Sequence, residues 1–161
     1  MQDKIQDLTS ENHERIFNSA SVPPEECIFC RIVERKVPAH IVFEDESYIA
    51  FLDAHPFSEG HTLVCPRKHG ETVWDMSQGE IGGLFMLASK ISRAVTRATH
   101  SDGFRFVQNN GEAANQVVPH VHVHTIPVKL SSKGQWLDRK RLSPEEMSRI
   151  AKEIRKELAE L

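Results

Sequence analysis

No stretch of this chain approaches the roughly 20 consecutive apolar residues that a membrane span needs, and residues 1–14 contain no apolar segment like that of a secretory signal. Acidic Asp3, Asp7, Glu11 and Glu14 also speak against a mitochondrial presequence. Excess charge is missing too. Twenty Lys and Arg stand against 23 Asp and Glu, a formal balance of -3, which excludes a long-range field toward nucleic acid or an anionic membrane. Any phosphate bound must be held by local groups. Cysteine is scarce: three residues, an odd number, with two spaced as Cys27-x-x-Cys30, exclude a disulfide framework and point to a reducing, cytoplasmic setting. At 161 residues one core is expected, and there is no internal repeat or low-complexity tract.

Pro23-Pro24 stops any helix before it, so residues 1–22 read as an N-terminal extension. Residues 23–130 read as one domain. A short apolar turn (Ile28, Phe29, Ile32, Val33) precedes strand-like runs at 40–45, 48–54 and 60–66. Ser77 with Glu80 forms a capping box, followed by Ile81, Leu84, Phe85, Ala88, Ile91 and Val95 at helical spacing. Two more strands are expected at 103–109 and 118–128, joined by a small polar loop. Residues 131–161 read as a C-terminal segment. It carries an amphipathic helix opened by Ser143-Pro144-Glu145-Glu146. The order of elements predicts an α+β fold, an antiparallel sheet of about five strands with helices packed on it.

In Pro119-His120-Val121-His122-Val123-His124 the histidines alternate with valines, and a strand's side-chain period of two puts all three imidazoles on one face with the valines toward the core. Packing does not ask for such a row. Two chemistries do: a zinc site built from imidazoles, and nucleophilic catalysis in which one ring attacks and its neighbours handle charge. The spacing alone does not separate them. Cys27-x-x-Cys30 is open in the same way, as half of a zinc site, a redox pair or two buried thiols, although the redox reading lacks the βαβ context it needs. Cys65 lies in a strand and reads as core, and His61 reads as a core histidine or a residue behind the site.

The segment resembles the histidine-triad family, whose motif is His-x-His-x-His. The likeness runs from about Cys27 to Pro127 through Val37-Pro38-Ala39, Phe43-Glu44-Asp45, Ala50-Phe51-Leu52-Asp53, Gly60-His61-Thr62-Leu63-Val64 and Pro66-Arg67-Lys68-His69, and is strongest to the purine nucleoside phosphoramidase branch. That resemblance implies a homodimer with a two-chain sheet. It also implies that His122 attacks an α-phosphorus, that His124 donates to a phosphate oxygen, that Asn109 lies near the phosphate, and that Gln116, just before the triad, joins them in the catalytic set. By the same resemblance Ile28, Phe29, Ile32 and Phe51 hold a purine base, Asp53 accepts ribose hydroxyls, and Cys27, Cys30, His69 and His120 bind a structural zinc.

Two departures stand out. Where many members carry Ser or Thr, able to assist the leaving group, this chain has Val117, and it lacks a Gly-Trp-Pro ending. The activity implied is hydrolysis of the P–N bond in AMP- or GMP-amine conjugates. The alternatives are a dinucleoside polyphosphate hydrolase and a zinc-stabilised nucleotide-binding module with incidental activity.

Overall fold

The computed structural model describes residues 21–136 and 138–161, so the expected extension lies, but for its last two residues, outside the described residues. The chain orders as α1 (Ile28–Val33), β1 (Ile41–Glu44), β2 (Tyr48–Leu52), β3 (Thr62–Pro66), α2 (Gln78–Ala98), β4 (Gly103–Val107), β5 (Val123–Val128) and α3 (Pro144–Ala159). The five strands form one antiparallel sheet in the order β1-β2-β3-β5-β4. This is the α+β architecture expected, with the apolar turn near Ile28 resolved as a short helix.

Both faces of the sheet are covered. Leu84, Ala88, Ile91 and Val95 of α2 and Met147, Ile150 and Ile154 of α3 pack on Ala50, Leu52, Val64, Val121 and Val123. On the opposite face Phe29 and Ile32 of α1 pack on Ile49, Phe51, Leu63 and Cys65. Alternate residues of β2 and β3 therefore enter different clusters. Strands covered on both sides lose their polar face, which is why all of β3 is buried.

Both long helices start as their sequences dictate. Ser77 Oγ accepts from Glu80 N–H at 3.2 Å while Glu80 Oε2 accepts from Ser77 N–H at 2.7 Å, and Ser143 and Glu146 repeat the arrangement at the same distances. The buried stripe of α2 is rotated from the expected one. It runs through Leu84, Leu87, Ala88, Ile91, Ala94 and Val95, and leaves Phe85 exposed beside Phe106 of β4, ring centroids 6.2 Å apart.

The strands are shorter than their apolar runs, and β5 most so. It pairs with β3 from Val64↔Val123 onward, whereas Cys65 and Pro66 pair only with β2. Val121 N–H donates instead to Gly70 O at 2.7 Å. His120 and His122 thus precede the strand rather than lie in it. The alternation nonetheless persists, with Val121 and Val123 fully buried on the helix side. The imidazoles are not a displayed row, because His120 and His122 are themselves buried.

Candidate active site

Register assembles the site. Phe51↔Leu63, Leu63↔His124 and Val107↔His124 are direct cross-strand partners, so one row of side chains crosses the sheet on the α1 face. This row floors a cavity of about 1140 Å³. Ile28, Phe29, Ile32, Phe51, Asp53, Asn109, His122 and His124, all singled out in the sequence, line it together. Phe29 meets Phe51 edge-on at 5.3 Å and His122 at 5.1 Å, so the apolar end of the cavity adjoins the histidines directly. Val117 also lines the cavity and is 84% exposed.

His122 and His124 are each bonded through one ring nitrogen, and His61 through both. His122 Nδ1 lies 2.6 Å from His120 O; a carbonyl only accepts, so Nδ1 carries the proton and Nε2 keeps a bare lone pair. His61 Nδ1 accepts from Phe57 N–H at 3.2 Å, which puts the His61 proton on Nε2. That Nε2–H donates to His124 Nδ1 at 2.9 Å, and the His124 proton is then on Nε2. The pair thus presents one acceptor nitrogen on His122 and one donor nitrogen on His124.

Burial keeps these rings neutral. Desolvation holds His122 below the ordinary imidazole value, and lowers His61 to about 4 and His124 to about 3. Asp53 opposes the shift at all three, and Arg139 adds to it at His61 and His124. Asp53 Oδ1 accepts from His55 N–H at 2.9 Å, and Oδ2 stands 3.5 Å from Arg139 Nη1. Although Oδ2 is also 3.6 Å from His61 Nδ1, that nitrogen is already an acceptor, so no proton is shared there.

The remaining sequence candidates fall into two groups. Asn109 reaches the cavity with its amide donating to Asn115 O at 3.4 Å. Gln116 is not among the lining residues. Its Oε1 accepts from Gly111 N–H at 2.6 Å and its Nε2 donates to Glu71 O at 2.6 Å and Val118 O at 3.1 Å, so its side chain braces the loop.

Behind Phe29, Cys27, Cys30, His69 and His120 bring four ligand atoms within 4.8 Å of one another. His120 Nε2–H donates to Pro66 O at 2.8 Å, leaving Nδ1 bare toward Cys27 Sγ at 3.4 Å and Cys30 Sγ at 3.6 Å; His69 Nδ1 is 3.3 Å from Cys30 Sγ. A tetrahedral zinc with the usual bond lengths needs its ligands about 3.3–3.8 Å apart, so the donor set fits. Burial and the neighbouring Cys27 push the Cys30 thiol up to about 12, so a thiolate here requires a cation. Cys65 is fully buried, as expected.

Sequence reading left His61 undecided and missed Arg139, Trp136 and Phe57, all but His61 lining the cavity. His61, Leu63 and Cys65 alternate like the triad, but only the register shows that they share its face. Trp136 and Arg139 lie in an aperiodic stretch that gives no signal.

The pattern of the HIT domain matches residues 34–130. An adenosine 5'-monophosphoramidase of Schizosaccharomyces pombe is 36% identical over 131 residues, 80% of this chain and 95% of that protein. An adenylylsulfatase of Arabidopsis thaliana is 36% identical over 110 residues, 68% of this chain and 56% of the relative. Among solved structures, a Zn-bound histidine triad family protein from Mycobacterium smegmatis superposes with a TM-score of 0.77 at 32% identity, covering 86% of this chain and 96% of the other. Sequence pattern, relatives and geometry agree: this chain belongs to the HIT, or histidine-triad, family.

Proposed function

We propose that the protein is a nucleotide hydrolase that cleaves at the α-phosphate through a nucleotidyl-histidine, acting as a purine nucleoside phosphoramidase. The observation that carries this reading is the bond from His122 Nδ1–H to the His120 carbonyl, which leaves a neutral, bare Nε2 on a ring lining the cavity. That is what attack on phosphorus requires. In the first step the Nε2 lone pair forms the N–P bond while the P–N bond to the amine breaks. The departing amine keeps that electron pair and takes a proton from water, since Val117 has none to give. In the second step water attacks the same phosphorus, the imidazole leaves with its electrons, and the monophosphate is released.

His124 Nε2–H supplies a donor for the phosphate oxygens, where negative charge grows in both transition states. Ile28, Phe29, Ile32 and Phe51 offer a flat apolar slot for a purine, Asp53 retains acceptor capacity for ribose hydroxyls, and Asn109 reaches the phosphate end. Gln116 acts by holding the loop that carries Asn109. Cys27, Cys30, His69 and His120 would hold zinc with four protein ligands and no open position, so the ion would stabilise the fold. The partner proposed is a second copy of this chain. Among the described residues nothing pairs with the outer edge of β4, and its Phe104 and Phe106 are exposed, 44% and 37%, with ring centroids 5.0 Å apart.

The test offers an adenosine phosphoramidate and a diadenosine polyphosphate in parallel to the wild type and to His122→Ala. Release of AMP from the phosphoramidate, lost by at least about 1000-fold in His122→Ala with AMP binding retained, is expected. Activity within a few-fold of wild type would remove His122 as nucleophile, and a preference for the diadenosine compound would move the reading to P–O–P hydrolysis.

A further inference from the structure

The stretch between β5 and α3 passes over the cavity and is tied down on both sides. Arg105 of β4 donates to Gln135 O at 2.9 Å and stacks on Trp136 at 5.3 Å, while Lys140 N–H donates to Pro56 O at 2.6 Å. Between these ties Trp136 and Arg139 reach the cavity wall, and both meet Phe57, the Trp136 ring at 5.8 Å and the Arg139 guanidinium at 4.5 Å. The Arg139 head is therefore stacked, donates through Nη1 to His55 O, and stands 3.5 Å from Asp53 Oδ2.

All of these bonds use one nitrogen. Nη2 and Nε have no partner among the described residues, and the side chain is 47% exposed at the cavity. A guanidinium has five N–H donors in a rigid fork, and the edge left free is the one that takes an oxyanion through two bonds. The same Asp53 oxygen lies 4.0 Å from His124 Nδ1, so the guanidinium is fixed close to the histidine pair. Neutralising Asp53 needs only Nη1, and does not account for a pinned cation with an open fork.

We infer that Arg139 is a specificity-determining residue that takes a second anionic group of the nucleotide, a sulfate or phosphate other than the one attacked. This rests on the reading that His122 attacks the α-phosphorus. The anion stands either across the scissile bond, as the leaving group, or on the ribose. The first case also answers Val117: His122 Nε2 forms the N–P bond, the bond from phosphorus to the bridging oxygen breaks, and sulfate leaves with the electron pair as a stable anion that needs no proton.

The test is calorimetric binding of AMP, adenylyl sulfate and adenosine 3',5'-bisphosphate to His122→Ala, alone and combined with Arg139→Gln or Arg139→Lys. Arg139→Gln is expected to weaken one of the two ligands that carry a second anionic group by about 10- to 100-fold, to leave AMP within about threefold, and to be partly rescued by Arg139→Lys. Loss confined to adenylyl sulfate places the anion on the leaving-group side, and loss confined to the bisphosphate places it on the ribose. Equal weakening of all three, AMP included, overturns the inference in favour of a structural role. No weakening of any overturns it outright. Continued turnover of adenylyl sulfate by His122→Ala would instead count against the nucleophile, whatever Arg139 does to binding.

Discussion

His61 is held through both ring nitrogens and His122 and His124 through one each, and all three are held neutral by burial. Neutrality has a cost in acid. In the unfolded chain a histidine binds a proton near 6.5, whereas His61 in the fold resists it until about 4 and His124 until about 3. Below pH 6.5 the unfolded state therefore binds more protons, and stability falls as pH falls, by about 1.4 kcal/mol per pH unit for each such group. The melting temperature should be nearly level above pH 6.5 and drop steeply from there toward pH 4. His61→Leu, with one of these groups removed, should show a shallower drop, and a wild-type profile flat to pH 4.5 would contradict the neutral assignment. That His122 and His124 share one side of the chain was legible, because alternation with Val121 and Val123 sets both imidazoles opposite the core. The direction of each proton was not, since it is set by the Phe57 amide and the His120 carbonyl, whose placement depends on the turn before β3 and on where β5 begins.

At the scale of elements, the two capping boxes and the helices they open could be read directly, because a cap is a local pattern of four residues. Strand ends could not. Residues 60 and 61 read as part of a strand, yet Gly60 sits at φ +86°, and a Cβ placed there would lie 2.6 Å from Thr99 Cγ2. This turn brings β2 to β3 against the end of α2 and sets His61 in place. Gly60→Ala should destabilise the protein by about 2–4 kcal/mol, combining a backbone penalty with a steric one. Gly111 offers the comparison, with φ +84° and nothing within 4 Å of its Cβ direction. With ψ at 159°, Gly111→Ala should cost about 1–3 kcal/mol from the backbone alone. Denaturant unfolding of both variants measures the difference, and equal losses would mean that the Thr99 contact relaxes freely.

On the scale of the molecule, α3 buries Met147, Ile150, Ala151 and Ile154 in the cluster that also holds residues of α2 and of four strands, so the chain after residue 130 contributes to the same core. No helix among the described residues is long and apolar enough to cross a membrane. Which residues of the loop ahead of α3 reach the cavity was not legible, because Trp136 and Arg139 follow no period and their partners Phe57 and Asp53 are some 80 positions away. The α2 stripe explains the other surprise. Turning Leu87 inward leaves Phe85 facing Phe106, so an aromatic patch forms at the β4 edge where a second sheet would join. Phe106→Arg should convert a dimer to single chains in sedimentation at micromolar concentration while the fold, followed by circular dichroism, is kept. A wild-type chain that sediments as a monomer would remove the proposed partner.

His120 belongs to two arrangements at once, its ring closing the Cys27–Cys30–His69 cluster and its carbonyl aiming His122. No cysteine lines the cavity. Even so, reagents that react only with sulfur should silence this protein, because disturbing either thiol shifts the His120 ring and with it the oxygen that accepts from His122 Nδ1 at 2.6 Å, the ring proposed to attack. Oxidant treatment is expected to release about one zinc per chain in step with the loss of turnover, and Cys65→Ala should leave that response unchanged. Activity that survives complete modification of Cys27 and Cys30 would show that the two halves of His120 work independently. In a cell, such a coupling would make the proposed nucleotidyl-accepting histidine answerable to oxidative stress through a residue that never touches the oxidant.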